Sequence, residues 1–420
     1  MTGPEGSSPL KICLLTYRGN PTCGGQGVYI KHLSKALIDL GHQVDVLSGQ
    51  PYPHLDEQVK LHQLPGLDLY NPDHLFKVKK ISDLTHPLNM YEFLNMCSGS
   101  FPEPFTFGIR AYRFLLRNQT RYDIVHDNQC LSYGLGMIAK RGIPTIATIH
   151  HPITVDREEE FKAAGNLFKK LKIRRWYSFI RMQKRVARRL SHIITVSECA
   201  KKDIAKEFSI DLSRFRVVPN GVNMEYFYPV QNNNRPENSL IVTNSADTPL
   251  KGLRYLLEAV SQVRTKQQVN LTVIGEPKQN GIIKKLIEKL RICDIVHFTG
   301  RIKNEEFAQY YAGATVAVVP SLYEGFGIPA AEAMACGVPL VSTSGGALPE
   351  VVGDAGVIVP PADSSALARA ITYLLNNPGE RNKFAQAGLR RVNSIFSWSW
   401  AAREVVNVYR EAIDDHRRLS

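Results

Sequence analysis

Cysteine is sparse in this chain and carries no pattern: Cys13, Cys23, Cys97, Cys130, Cys199, Cys293 and Cys336 include no C-x-x-C pair. That argues against a zinc site, a dithiol redox motif and the disulfide framework of a small secreted domain, and it fits a reducing compartment. No run reaches the roughly 18 apolar residues of a membrane-spanning helix. The opening MTGPEGSSPL also lacks the charged-then-apolar order of a signal peptide. A soluble, cytoplasmic protein is expected. There is no Asp-x-Asp pair, no low-complexity tract and no internal repeat. Acidic residues are in deficit: 39 Asp and Glu against 52 Lys and Arg leave a net charge of +13. This favours anionic partners, namely nucleotides, nucleic acid or an acidic membrane surface, without choosing among them.

With 420 residues, 44% of them hydrophobic and 22% charged, the chain exceeds the roughly 100–200 residues of one domain and has ordinary globular usage. Short apolar, β-branched runs recur, each followed by a longer helical pattern: KICLLTY (11–17), QVDVLS (43–48), YDIVH (122–126), TIATIH (145–150) and HIITVS (192–197). Such runs suit parallel strands buried on both faces. The alternation restarts with SLIVTNS (239–245), VNLTVIG (269–275), IVHFTG (295–300), TVAVVPS (315–321) and VPLVSTS (338–344). Two doubly wound α/β domains are therefore expected, 1–225 and 226–396. The Pro-, Gly- and Asn-rich stretch 219–239 forms the crossing, and a C-terminal helical segment, 397–420, is free to pack back on the first domain.

In open parallel sheets ligands bind outside the carboxyl ends of the strands, so residues just after strands matter most. After the first strand comes Arg18-Gly-Asn-Pro-Thr-Cys-Gly24-Gly25-Gln-Gly27. Its glycines permit close backbone approach to a ligand, and a helix N-terminus offers N–H groups to an anion. As a dinucleotide fingerprint it fails, since Ile30 stands where the third glycine belongs. A plain strand-to-helix turn would need fewer glycines. The most informative run is Ser321-Leu-Tyr-Glu324-Gly-Phe326-Gly327-Ile328-Pro329-Ala-Ala-Glu332. Pro329 suits the first helical position, which puts Glu324 in the loop and Glu332 on the first turn. One carboxylate can then accept from hydroxyls at one end of a ligand and the other from hydroxyls at the opposite end. Between them, the amides of Phe326, Gly327 and Ile328 can face a diphosphate. A sugar nucleotide has that order of groups. Glu332 by itself would be an ordinary dipole-complementing acid. A second glycine turn, Ser344-Gly345-Gly346, lines the same edge, either as a plain loop or in binding.

The run EGFGIPAAEAMACGVPLVSTSGGALPEVV resembles the E-x7-E region of the retaining family 4 glycosyltransferases. CGGQGVYIKHLSKALIDLGHQV, TIHHP, VPNGV, PLKGLRYLLEA, HFTGRI and FSWSWAAREVVNVYREA agree in the same order. The resemblance covers nearly the whole chain. It implies the GT-B fold, two facing Rossmann-like domains with the sugar nucleotide in the cleft between them. It further implies that Glu324 binds donor-sugar hydroxyls, Glu332 the ribose, Gly25 (with Gly24) and Lys251 the diphosphate, and His150 the transferring sugar. Arg301 and Ile302 would lie beside the nucleobase. Two departures stand out: Ser245 where the family usually has Arg, six residues before Lys251, and Asn128 where a second His often follows V-H.

Glycosyl transfer develops negative charge on the leaving phosphate, so cations and N–H donors aimed there are the largest available effect. Lys251 and the glycine-loop amides can supply it. With no Asp-x-Asp pair, neither an essential metal nor any other cofactor is expected. Glu324, His150 and Lys251 are the catalytic candidates; His126, Asp127 and His151 are candidates for acceptor contacts. His150 also reads as a strand-end histidine satisfied by backbone. The paired acids of glycoside hydrolysis are a poor match, because Glu324 engaged by sugar hydroxyls leaves no nucleophile. A nucleotide-sugar epimerase of the same fold, or a non-enzymatic anion- or nucleic-acid-binding protein, are the competing classes. No pyridoxal-lysine signature marks a phosphorylase, and no helix-turn-helix, zinc-finger or RNP pattern marks nucleic-acid binding. The acceptor stays open, a lipid-linked one included. The aromatic- and Met-rich stretch 76–115 is either an acceptor surface or buried core.

Segment 161–190 holds eleven Lys and Arg and no Asp or Glu, nearly the whole excess charge. Its apolar residues Leu167, Phe168, Leu171, Trp176, Phe179, Ile180, Val186 and Leu190 recur at helical spacing, so one face is expected to pack. The charged face is either solvated or docks peripherally on the anionic inner face of a membrane.

Overall fold

The computed structural model describes residues 8–20, 25–71, 78, 80–118, 122–230, 236–243, 248–277 and 281–419. Gly24 and Ser245 lie outside them. The chain divides into two compact units. One comprises Met1–Val196, Lys201–Val218 and Ala401–Ser420; the other comprises Ser197–Ala200 and Pro219–Trp400. The main division thus falls between Val218 and Pro219, a little ahead of the boundary expected at 225.

In the first unit, β1 (Lys11–Thr16), β2 (Gln43–Ser48), β3 (Lys60–Gln63), β4 (Ile124–Asn128), β5 (Thr145–Ile149), β6 (Ile193–Thr195) and β7 (Phe215–Val217) form one parallel sheet. Its order is β3-β2-β1-β4-β5-β6-β7. β1 is buried along both faces, with Ile12, Cys13 and Leu14 at 0% exposure, as a parallel sheet covered by helices requires. The C-terminal helix Trp398–Leu419 belongs to this unit from Ala401 onward. It anchors through Tyr409, which is fully buried and has its hydroxyl 2.7 Å from His126 Nδ1.

In the second unit, β8 (Ser239–Thr243), β9 (Asn270–Ile274), β10 (Val296–Phe298), β11 (Val316–Val319), β12 (Leu340–Thr343) and β13 (Gly356–Val359) form a parallel sheet in the order β10-β9-β8-β11-β12-β13. Leu253, Leu256, Leu257, Val260 and Val263 recur at helical spacing and bury one stripe of the Leu253–Arg264 helix against Leu240, Val242, Leu271 and Val273. In each sheet the strand order reverses once, between β1 and β4 and between β8 and β11. These are the topological switch points, outside whose carboxyl ends ligands bind in such folds.

The basic segment departs from the expectation that its apolar residues share one packed face. It breaks into two helices, Leu167–Trp176 and Ile180–Ala187, joined by a tighter turn. Phe179, Ile180, Val186 and Leu190 are buried, but the first helix has no buried residue and exposes Leu167 (74%), Phe168 (65%) and Leu171 (54%). The stretch 76–115 splits likewise. Phe101 and Phe107 are core, Phe101 stacking on Trp176 at 5.2 Å, whereas Met90, Tyr91 and Leu94 on the helix Pro87–Cys97 are exposed. Among the described residues no helix is long and apolar enough to cross a membrane.

Candidate active site

In the second unit the site grows out of the β8/β11 switch point. These strands pair through Val316↔Leu240 and Ala317↔Ile241, so the chain after each of them emerges beside the other. Leu322 N donates to Leu250 O at 2.7 Å and straps the two loops together. Gly252, at φ +66°, closes the gap: a Cβ there would collide with the Pro320 carbonyl. The strap brings Lys251 Nζ to 2.7 Å from Glu324 Oε1, which also accepts from Ser321 Oγ at 2.8 Å. Their side chains are 29% and 11% exposed, so the pair is shielded on the carboxylate side and open at the ammonium.

The second glycine turn backs this loop. Ala347 N donates to Glu324 O at 2.9 Å, and Gly346, at φ +64°, lies so close that any Cβ would clash with that carbonyl. Thr343 Oγ1 donates to the Ser321 carbonyl. Of the two readings of Gly345-Gly346, the described contacts therefore show a support for Glu324.

The following helix runs from Ile328 to Ala335, one residue earlier than expected. Pro329 is its second residue, and Glu332 opens the second turn rather than lying on the first. Gly327 caps it in the left-handed region at φ +106°. The Phe326 ring is buried edge-on against Phe396 at 5.5 Å, which leaves its amide, not its side chain, as the group that can meet a ligand. Glu332 is half-buried. Loss of water contact pushes its carboxyl from the usual 4.5 up to about 8, against the pull of the Lys251 cation. Tyr311, whose hydroxyl lies 3.0 Å from Thr243 Oγ1 at the end of β8, has its hydroxyl pKa raised by burial and, secondarily, by the neighbouring Glu332 carboxyl. Arg301 is exposed and Ile302 half-buried, following Gly300, whose N–H donates to Gly275 O at 3.1 Å.

In the first unit the carboxyl ends of β4 and β5 bring four expected residues together. His126 is 1% exposed and both its ring nitrogens are engaged, Nδ1 with Tyr409 and Nε2 with Thr148 Oγ1 at 2.7 Å. Burial lowers its pKa to about 3, so it is neutral. Asp127 is equally buried; its Oδ2 accepts from Leu131 N at 2.7 Å, and burial raises its pKa to about 7 despite that bond. Both residues have intramolecular partners: His126 anchors the C-terminal helix and Asp127 shapes the turn after β4. His150 is half-buried, its ring edge-on to Tyr29 at 4.7 Å, and is held neutral with a pKa lowered to about 3 by burial. The His151 carbonyl accepts from Gln129 Nε2 at 3.1 Å. Gly25 opens the helix Gly25–Asp39.

Sequence reasoning missed Gln26, Tyr29 and Gln129. The available signal was a polar run, Asp127-Asn128-Gln129, at the end of an interior strand, all three residues being 5% exposed or less. Buried polar groups in such a run must find partners. No group of three or more His, Cys, Asp or Glu disposed to hold a metal ion occurs among the described residues.

The family described as "Glycosyltransferase Family 4" matches residues 23–226, and the one described as "Glycosyl transferases group 1" matches 227–391. The chain is 45% identical over 408 residues to the MMP alpha-(1->4)-mannosyltransferase of Mycolicibacterium hassiacum, covering 96% of this chain and 98% of that protein. Among solved structures, the sucrose-phosphate synthase of Thermosynechococcus elongatus superposes with a TM-score of 0.72 at 23% identity, over 96% of this chain and 99% of the other. Anabaena HepE in complex with UDP-glucose superposes with a TM-score of 0.64 at 17% identity, over 97% and 99%. The two parallel-sheet units are the Rossmann-like domains of the GT-B fold. The chain belongs to the family 4 glycosyltransferases.

Proposed function

We propose that the protein transfers mannose from a nucleotide-diphosphate donor to a sugar hydroxyl with retention of anomeric configuration, forming an α-(1→4) link without a metal. The observation that carries this reading is the Lys251–Glu324 pair at 2.7 Å beside the Glu332 helix. It sets a cation for a diphosphate next to a carboxylate for sugar hydroxyls, with a second carboxyl one helical turn inward for a ribose. Likeness to the mannosyltransferase across 96% of the chain supports the sugar and linkage.

In the proposed step the acceptor hydroxyl attacks the anomeric carbon on the face from which the diphosphate leaves. The sugar–phosphate bond breaks with its electron pair passing to the diphosphate, and the hydroxyl proton goes to a departing phosphate oxygen. Lys251 neutralises the developing charge, together with amides of the glycine-rich segments. Glu324, already engaged by Lys251 and Ser321, orients the sugar and does not attack it. His150 is the proposed contact to the transferring sugar.

The test offers radiolabelled GDP-mannose, UDP-glucose and ADP-glucose in parallel with oligomannoside acceptors, with and without EDTA. Label is expected to pass from GDP-mannose into an α-linked product at the same rate in EDTA. A β-linked product, activity lost to EDTA, or hydrolysis without transfer overturns the corresponding part of the proposal.

The acceptor side is proposed to work near an anionic membrane surface, supported by the Leu167–Trp176 helix. There Leu167, Phe168 and Leu171 stand exposed among Lys169, Lys172 and Arg174. Apolar side chains inserting between headgroups, with basic ones each contributing about 1 kcal/mol at the surface, would bind peripherally. Sedimentation with vesicles rich in anionic phospholipid is expected at low salt and not with neutral vesicles. Charge reversal at Lys169, Lys172 and Arg174 should abolish it with the melting temperature unchanged. A parent protein that ignores anionic vesicles at low salt rules the contact out.

A further inference from the structure

Two successive side-chain amides at the end of β4 hold the residues after β5. Asn128 Nδ2 lies 3.1 Å from the Gln26 carbonyl and its Oδ1 lies 2.8 Å from His150 Nε2. Gln129 Oε1 accepts from the His150 backbone N–H at 2.8 Å, and its Nε2 donates to the His151 carbonyl at 3.1 Å. Gln129 adopts φ +56° to do so, and Leu131, at φ +51°, follows it in the left-handed region, held there by Asp127. Non-glycine residues pay about 1 kcal/mol or more in that region, and such geometry persists where surrounding contacts over-determine it.

Donor and acceptor identities in this network follow from elimination. A backbone carbonyl can only accept, so the end of the Asn128 amide facing Gln26 O must be the NH2 group. Its oxygen then faces His150, and an amide oxygen can only accept as well. The hydrogen of that bond therefore belongs to His150 Nε2. A neutral imidazole carries one ring hydrogen, which leaves Nδ1 with a lone pair. Among the described residues Nδ1 has no hydrogen-bond partner. Tyr29, edge-on to the ring and bonded through its hydroxyl to Thr148 Oγ1 at 3.1 Å, fixes the ring plane.

We propose that Asn128 is a positioning residue that locks His150 as the Nε2–H tautomer, presenting Nδ1 as an acceptor for a substrate hydroxyl, and that through Gln26 it ties this orientation to the start of the glycine-loop helix. Substrate contact by Nδ1 rests on the role proposed above for His150; the tautomer does not. Asn128, at the position where the resembled family often carries His, is thereby part of the machinery that aims His150 and not merely an acceptor-side difference.

The experiment is a two-bond nitrogen–proton correlation spectrum of the full chain labelled with 15N-histidine, His150 being assigned by the signal missing from His150→Gln. The parent is expected to show His150 as the neutral Nε2–H form, and Asn128→Leu, isosteric but without polar atoms, to show a mixture of tautomers. With GDP-mannose, Asn128→Leu should lower kcat about tenfold or more with the donor KM within about twofold. An Nδ1–H pattern in the parent, or an unchanged tautomer in Asn128→Leu, overturns the proposal; if that variant does not fold, the parent spectrum decides. The spectrum is recorded without substrate, so a wrong tautomer leaves the glycosyl-transfer reading standing. Absence of transfer by a protein with the expected tautomer defeats that reading alone.

Discussion

Replacing Lys251 by alanine is expected to lower kcat for glycosyl transfer by roughly 30- to 1,000-fold, about 2–4 kcal/mol of transition-state stabilisation. The charge on the leaving diphosphate grows as the anomeric bond breaks, and a fixed ammonium stabilises that state more than the bound donor. Lys251 is well suited to this task. Its loop is strapped to the Glu324 loop through Leu250 and Leu322, and its Nζ is held 2.7 Å from a carboxylate that shields one side only. In the variant Glu324 keeps the Ser321 hydroxyl but loses its cation, so donor affinity should fall less than turnover. Six residues earlier the chain carries Ser245 in place of the family's usual Arg, which concentrates the demand on Lys251. Adding Ser245→Arg to Lys251→Ala should restore part of the lost rate. Steady-state kinetics with GDP-mannose checks both, and a Lys251→Ala enzyme retaining more than a third of parental kcat contradicts the assignment.

The interior of the fold was readable because interior strands announce themselves. All ten apolar runs identified from sequence became strands; nine lie inside their sheets, where a parallel strand buried on both faces needs several consecutive apolar residues, and the tenth, β10, is an edge. The three strands that escaped, β3, β7 and β13, are all sheet edges. Lys60-Leu-His-Gln63 is never fully buried, and Phe215-Arg-Val217 has one buried residue in three, so neither carries a continuous apolar signature. The candidate site divides the same way. Glu324, Lys251 and Glu332 lie beside glycine and proline punctuation that betrays a strand-to-helix turn. The wiring behind His150 is invisible to such reasoning: which amide end faces Gln26 depends on contacts 102 residues apart in the chain. The exposed Leu167 and Phe168 were misjudged for a related reason. Helical spacing shows that apolar residues share a stripe, but not whether any partner covers it.

Nucleotide-sugar affinity should depend steeply on pH through Glu332. Its carboxyl, raised from the usual 4.5 to about 8, holds its proton at neutrality in the free protein. In the proposed complex the two ribose hydroxyls both donate to it, and such bonds are stronger to the ionised form, so binding is expected to expel that proton. At pH 6 only about one molecule in a hundred is ionised, and affinity for GDP-mannose should fall roughly 100-fold between pH 9 and pH 6. The diphosphate of a nucleotide sugar is substituted at both ends and does not itself titrate in this range. Calorimetry in buffers of different ionisation enthalpy at pH 6.5 should register close to one proton released per ligand bound. Glu332→Gln should bind roughly 10- to 100-fold more weakly than the parent at pH 8.5, the range for losing charge-assisted hydrogen bonds, and should lose the pH dependence. Stability moves in a coupled sense. Between 4.5 and about 8 the folded protein holds a proton that the unfolded chain has released, so the parent loses stability as pH rises through that window, whereas Glu332→Gln lacks this contribution. The melting-temperature difference between variant and parent should therefore shift in favour of the variant from pH 5 to pH 8.5. Affinity that is flat across pH 6–9 in the parent, or a Gln variant that binds as tightly as the parent at pH 8.5, would remove Glu332 from the ribose site.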